Sequence, residues 1–131
     1  INNYPDSPYL SQANERVKVL REQLEKKAFE IAKQYNTIGG YTRDYSAAIK
    51  ALDNFIADYP GTPFKEDALY YRFDSAYTLA LNSVDNRKKE RLDFAKGAYS
   101  SLIKFNESTK YKSDVDKKLE TIEKELQQFS N

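Results

Sequence analysis

At 131 residues the chain is long enough for one hydrophobic core and too short for two independent ones. Lys plus Arg total 21 against 20 for Asp plus Glu, and the resulting net charge of +1 gives no electrostatic basis for binding nucleic acid or an anionic membrane surface. With no Cys and no His, nearly every transition-metal site and every His-based triad is excluded. No stretch approaches the roughly 20 apolar residues of a membrane span, and the first residues lack a basic-then-apolar signal pattern. The sequence opens on Ile1-Asn2-Asn3-Tyr4-Pro5 and contains no Met, so it is expected to start inside a longer protein.

The first predicted element is a long helix. Ala13, Val17, Leu20, Leu24, Ala28, Ile31 and Tyr35 step by three or four residues and therefore share one helical face. Ser7 is read as its N-cap with Pro8 in the first turn, and Gly39-Gly40 as its stop, giving roughly 30 residues and about 45 Å. Tyr45, Ala48, Ile49, Leu52, Phe55 and Ile56 predict a second helix over 43–58, closed by Pro60. Thr62 and Pro63 are expected to open a third, with Tyr70, Phe73, Tyr77 and Leu81 on its apolar face. Leu92, Ala95, Tyr99, Leu102 and Ile103 define a fourth, while the basic run Arg87 to Arg91 is expected to be a solvated helix start, or loop, because cations oppose the dipole at an N-terminus. Val115, Leu119, Ile122 and Leu126 define a fifth, with Ser113 and Asp116 placed like a capping box. No segment carries a strand period, so the predicted class is all-α.

A phrase is repeated. Tyr4-Pro5-Asp6-Ser7-Pro8-Tyr9 returns as Tyr59-Pro60-Gly61-Thr62-Pro63-Phe64 and uses all four prolines of the chain. In each copy Tyr-Pro follows one helix and Ser/Thr-Pro opens the next, as a helix-to-helix turn requires. A weaker third version without prolines runs from Phe105 to Tyr111. The helices before the second and third copies also align: Tyr45, Ala48, Leu52, Phe55 and Ile56 fall on Leu92, Ala95, Tyr99, Leu102 and Ile103.

These residues resemble a tetratricopeptide (TPR) repeat. Ala48, Leu52, Phe55 and Pro60 match its second helix, and Tyr70, Phe73, Asp74 and Tyr77 match its first, with Asp74 in place of a small residue. Ala28, Ile31, Ala32 and Tyr35 fill the same slots in the long helix. The resemblance implies an antiparallel helix-pair, TPR-like solenoid of about five helices. Within a single domain, 1–6 would be the remnant of a preceding repeat, 7–60 a first repeat with an extended helix, 61–107 a second, and 111–130 a capping helix. Ala48, Leu52, Phe55, Tyr70, Phe73, Tyr77, Ala95 and Tyr99 would pack the repeats.

The proline-bearing turn, the long helix with Arg16, Leu20 and Leu24, the glycine-bearing loop and the helix ending in Asp58-Tyr59-Pro60 together resemble the C-terminal half of the BamD family, over roughly residues 4–80. That resemblance implies a non-catalytic scaffold without cofactor. It would sit at the periplasmic face of the bacterial outer membrane, tethered only by a lipid on an upstream Cys. Its partners would be the POTRA domains of the barrel-forming subunit and other assembly lipoproteins. Ala51 stands where better-known members carry a docking arginine, so that contact is not carried over. Another periplasmic TPR adaptor, or the binding appendage of an envelope enzyme, is the alternative reading.

In a TPR the first helix of each repeat lines a concave groove. Mapped here, Phe29, Lys33 and Asn36, with Tyr71, Ser75 and Thr78, are the partner-binding candidates, an aromatic beside small polar groups that suits an extended peptide or partner helix. The competing reading is that Phe29 and Tyr71 only pack against a neighbouring helix. Tyr9, Phe64 and Tyr111 share one position just inside a helix start and suggest a repeated packing contact. Carboxylate pairs such as Asp114/Asp116 and Glu120/Glu123 alternate with Lys117, Lys118 and Lys124, the pattern of surface ion pairing rather than of acid-base chemistry or cation binding. No catalytic or metal-ligating residue is assigned.

Overall fold

The computed structural model describes residues 8–42 and 44–129, and its described residues form five helices and no strand: α1 (Pro8–Thr42), α2 (Tyr45–Asp58), α3 (Lys65–Leu81), α4 (Asp85–Phe105) and α5 (Lys112–Gln127). Consecutive helices pack on one another, α3 on α4 most extensively, and α1 also touches α3. The result is an all-α, TPR-like helical solenoid. None of these helices is both long and apolar enough to cross a membrane.

Two cores hold it together. One joins α1, α2 and α3 through Phe29, Ala32, Leu52, Phe55 and Ala68. The larger joins α3, α4 and α5 through Phe73, Ala76, Ala80, Leu92, Ala95, Ala98, Leu102, Val115 and Ile122. The alanines let helices approach closely, and Ala48, Ala68, Ala80 and Ala95 are wholly inaccessible. Each fully buried Leu, Ile or Phe adds about 1.5–3 kcal/mol of apolar transfer free energy. Tyr70, Tyr77 and Tyr99 pack half-buried at the edge of the larger core.

The repeated turn reproduces itself at the level of single hydrogen bonds. After α2, Tyr59 N–H donates to the Phe55 carbonyl, Thr62 N–H to Tyr59, Lys65 N–H to Thr62 and Ala68 N–H to Phe64. After α4, Asn106 N–H donates to Leu102, Thr109 N–H to Asn106, Lys112 N–H to Thr109 and Val115 N–H to Tyr111. In each turn the threonine hydroxyl accepts the N–H two residues on, from Phe64 at 3.2 Å and Tyr111 at 3.3 Å. Thr62 and Thr109 are both buried. The prolines, present in one copy and absent in the other, are dispensable to this geometry, whereas the threonine is common to both.

Three expectations are corrected, and one open between two forms is resolved. Gly39-Gly40 do not stop α1, which runs on to Thr42. Gly39 is a close-approach position: a Cβ there would lie 2.9 Å from two ring carbons of Tyr45. Thr62-Pro63 belong to the turn, and regular helix begins only at Lys65. Arg87 to Arg91 take the expected helix-start form rather than the loop alternative: α4 starts at Asp85, with the Arg87 and Lys88 N–H groups bonded to the Val84 carbonyl. Ser113 and Asp116 form no capping box; α5 starts at Lys112, and Asp116 instead accepts the Tyr99 hydroxyl at 2.6 Å. The Ser7 cap and the stub over residues 1–6 lie outside the described residues, as does residue 130 of the capping helix.

The repeated aromatic position is resolved unevenly. Phe64 stacks on Phe29 at 5.4 Å between ring centroids, and Tyr111 stacks on Tyr70 at 3.9 Å. Tyr9, by contrast, is 82% exposed.

Candidate functional site

On the side of the solenoid formed by α1, α3 and α5, a chain of polar contacts links all three helices. Asn36 of α1 donates from its amide to Asp74 at 3.0 Å and to the Ser75 hydroxyl at 2.8 Å. Lys118 of α5 reaches the same Asp74 at 2.8 Å and Asp114 at 3.0 Å, and Asp114 accepts the Tyr70 hydroxyl at 2.8 Å. Asp74 therefore bridges the helices on both sides of its own. A carboxylate suits this position because it accepts at two oxygens, one for the α1 amide and one for the α5 ammonium.

The six candidates divide within this surface. Phe29 and Ser75 are buried, Phe29 against Phe55, Phe64 and Tyr71 and Ser75 through a hydrogen bond to the Tyr71 carbonyl. Lys33, Asn36, Tyr71 and Thr78 are half-buried. The Lys33 ammonium lies 4.9 Å from the Tyr71 ring centre, and the Thr78 hydroxyl donates to the Asp74 carbonyl. A recess of about 230 Å³ lies beside them, with Phe29, Lys33, Phe64, Asp67, Tyr71 and Tyr111 in its walls.

At the α3 start, Glu66 accepts the Asn106 amide at 2.8 Å and the Thr109 hydroxyl at 2.9 Å, and Asp67 accepts the Tyr111 hydroxyl. These acids sit in the first turn of α3, where the helix dipole favours them, and fasten the α4–α5 turn to it. Asp74, Lys118, Asp114 and Glu66 were not singled out as site residues from sequence. The signal was there for Asp74, a charge at a slot that ordinarily holds a small residue.

Titration follows from these contacts. Burial, aided by the hydrogen bond to Asp114, pushes the Tyr70 hydroxyl up to about 12. The hydrogen bond to Asp116, aided by burial, does the same to Tyr99, also to about 12. Burial and the bond to Asp67 raise Tyr111. Burial alone would lower Lys118 and raise Asp114, but their mutual bond, with those to Asp74 and Tyr70, reverses both effects and holds the pair charged. Tyr99 is the main cause that lowers Asp116.

Among the described residues no group of three or more acidic side chains could hold a metal ion, and no buried side-chain polar atom lacks a partner. The arrangement is a polar surface whose buried groups are all satisfied among the described residues. Residues 40–129, which span α2 to α5 and the end of α1, match the model of the family YfiO, outer membrane lipoprotein. The chain belongs to that family. The match includes the Asp74–Lys118–Asp114 bridge and leaves out all of α1 before residue 40.

Proposed function

We propose that this chain is the C-terminal docking region of a BamD-like lipoprotein of the outer-membrane β-barrel assembly machinery. It acts without catalysis at the periplasmic face and binds the POTRA domains of the barrel-forming subunit. The observation that carries the reading is the family match over α2 to α5. The bonded α1–α3–α5 surface supports it: Lys33, Asn36, Tyr71 and Thr78 offer half-buried groups on helices already fixed to one another, so a partner would bind without ordering them. Phe29 and Ser75 contribute from beneath, by holding Tyr71 and Asn36 in place. Ala48, Leu52, Phe55, Phe73 and Ala95 set the spacing of the helices that present this surface.

The test is a calorimetric titration of the folded chain with purified POTRA domains. Binding with a Kd of about 10 μM or tighter is expected for a specific interface of this kind. No heat at several times that concentration, with the chain shown to be folded by circular dichroism, would overturn the reading.

A further inference from the structure

Between α2 and α4 the solenoid is open, with α3 as its floor. Ser46 and Ile49 of α2, Ala76 and Leu79 of α3, and Glu90, Arg91, Asp93 and Phe94 of α4 enclose a groove of about 550 Å³. Phe94 is 42% exposed here, although the neighbouring Leu92 and Ala95 are wholly buried. At the Arg72 end a strut spans the groove. Arg72 pairs with Asp53 of α2 at 2.6 Å while its guanidinium lies 5.0 Å from the Phe94 ring centre. At the other end the groove continues, sharing Leu79 and Arg91, into a polar hollow of about 450 Å³ lined also by Gly39, Gly40, Tyr45, Asn82 and Ser83.

Arg91 stands where the apolar and polar parts meet. It is half-buried, and one of its amino groups donates to the Ser83 hydroxyl at 2.6 Å. Ser83 in turn donates to the Leu79 carbonyl at the end of α3. Among the described residues no carboxylate lies within ion-pair distance of this guanidinium, whereas Arg72, also part-buried, has one and Lys118 has two. The two carboxylates nearest in sequence do not fill the gap: Glu90 is exposed, and Asp93 faces Lys89 at 3.5 Å. A guanidinium carries five donors in a planar fork, so Ser83 leaves most of them available.

We infer that the α2–α4 groove receives a segment of a protein partner that carries an apolar side chain close in sequence to a carboxylate. The apolar side chain enters against Ile49, Leu79 and Phe94, and the carboxylate meets the Arg91 fork at the boundary with the polar hollow. Glu90 and Asp93 on the outer wall repel a second carboxylate and fix which end of the segment lies at Arg91. The groove is bounded by α2, α3 and α4, away from the α1–α5 bridge, so it is a second contact surface. The inference rests on the reading of this chain as a docking scaffold, but its test does not need the identity of the partner.

The probe is a pair of capped peptides, acetyl-Ala-Phe-Ala-Glu-Ala-amide and its Gln twin, titrated into the ¹⁵N-labelled chain and followed by NMR. Shifts confined to Ser46, Ile49, Leu79, Arg91 and Phe94 are expected, with the Glu peptide bound about tenfold tighter, as a charge-assisted bond would give. Arg91→Gln should abolish that preference, and Phe94→Ala should weaken both peptides. Arg91→Lys, which keeps the charge and loses the fork, should retain part of it and guards against a folding defect in the glutamine variant. Equal binding of the two peptides, shifts elsewhere, or no shifts would overturn the inference. Concentration-dependent shifts without peptide would assign the groove to a second copy of the chain and overturn it equally. If the POTRA titration fails while the peptide pair discriminates, the partner is wrong and the groove stands; the reverse result removes the groove and leaves the docking function.

Discussion

Phe73 and Ile31 occupy corresponding slots in the apolar faces of α3 and α1, yet Phe73 is wholly buried and Ile31 is 50% exposed. The difference extends along both helices. In α3 the face that bears Phe73, Ala76 and Ala80 is closed by α4 and α5. In α1, Val17, Leu20, Leu24, Ile31 and Ile38 stay substantially exposed along a helix of 35 residues, and between Tyr9 and Gly40 only Phe29, Ala32 and Gly39 are buried. Apolar periodicity thus reports which side of a helix suits burial. Whether that side is covered depends on a neighbouring element, which periodicity does not encode.

The largest effect should come from introducing charge on the closed side. Ala48→Glu buries a carboxylate at a wholly inaccessible position and should cost about 3–5 kcal/mol, read as a fall in denaturation midpoint. An unchanged midpoint would mean that α2 does not pack tightly. Next, Asp74→Asn should cost about 1–3 kcal/mol, since it weakens the bonds to Asn36 and Lys118 together. A double-mutant cycle with Lys118→Met would then show coupling, and additivity would count against the bridge.

The α3–α5 half should also set the pH limits of stability. Tyr70 and Tyr99 have folded pKa values near 12, above the ordinary 10.0, so their contribution is complete below pH 10.0 and is lost as pH rises toward about 12. Asp114 and Asp116 are shifted the other way, from 3.8 downward; their contribution is present above that value and is lost as pH falls below it. Thermal melts across pH should show a plateau between these limits. Tyr70→Phe combined with Tyr99→Phe should make the alkaline limb shallower, leaving the part that Tyr111 and Lys118 contribute, and leave the acid limb partly in place.

Smaller effects separate local from tertiary causes. Gly97 lies in α4 with open space around it, so Gly97→Ala should stabilise by about 1 kcal/mol through helix propensity alone. Gly39→Ala has the same propensity gain but must displace the Tyr45 ring, and should fall short of Gly97→Ala in a paired melt. Smallest of all, Leu20→Ser and Leu24→Ser should each stay within about 0.5 kcal/mol, because those side chains are already 64% and 59% exposed. A larger loss would show that the α1 stripe is covered in solution, and the contrast between α1 and α3 would fail.

The helices were largely legible in the sequence because each core-facing set repeats every three or four residues, and α2 and α4 could even be aligned on one another. Their ends were less legible. Gly39-Gly40 resemble a stop, but the packing of α1 on α2 carries the helix through them, and the need at Gly39 is for proximity to Tyr45, a tertiary fact. Ser113 and Asp116 have capping-box spacing, but Asp116 is engaged by Tyr99 from another helix. The candidate surface was legible as a set of positions and not as a network, since the bonds of Asp74 to Asn36 and Lys118 cross about 40 residues in each direction. The guanidinium of Arg91 was lost within a basic run whose members look alike in sequence and differ only in depth.

The two threonine-centred turns give the chain interchangeable joints. Tyr59 to Phe64 and Asn106 to Tyr111 make the same bonds with different residues, so exchanging the two hexapeptides should preserve the angle at which each helix leaves the last. Drift in such a joint is tolerated as long as the hydroxyl is kept. A solenoid of this kind can therefore lose the outward signature of its repeats while the bend between them stays the same.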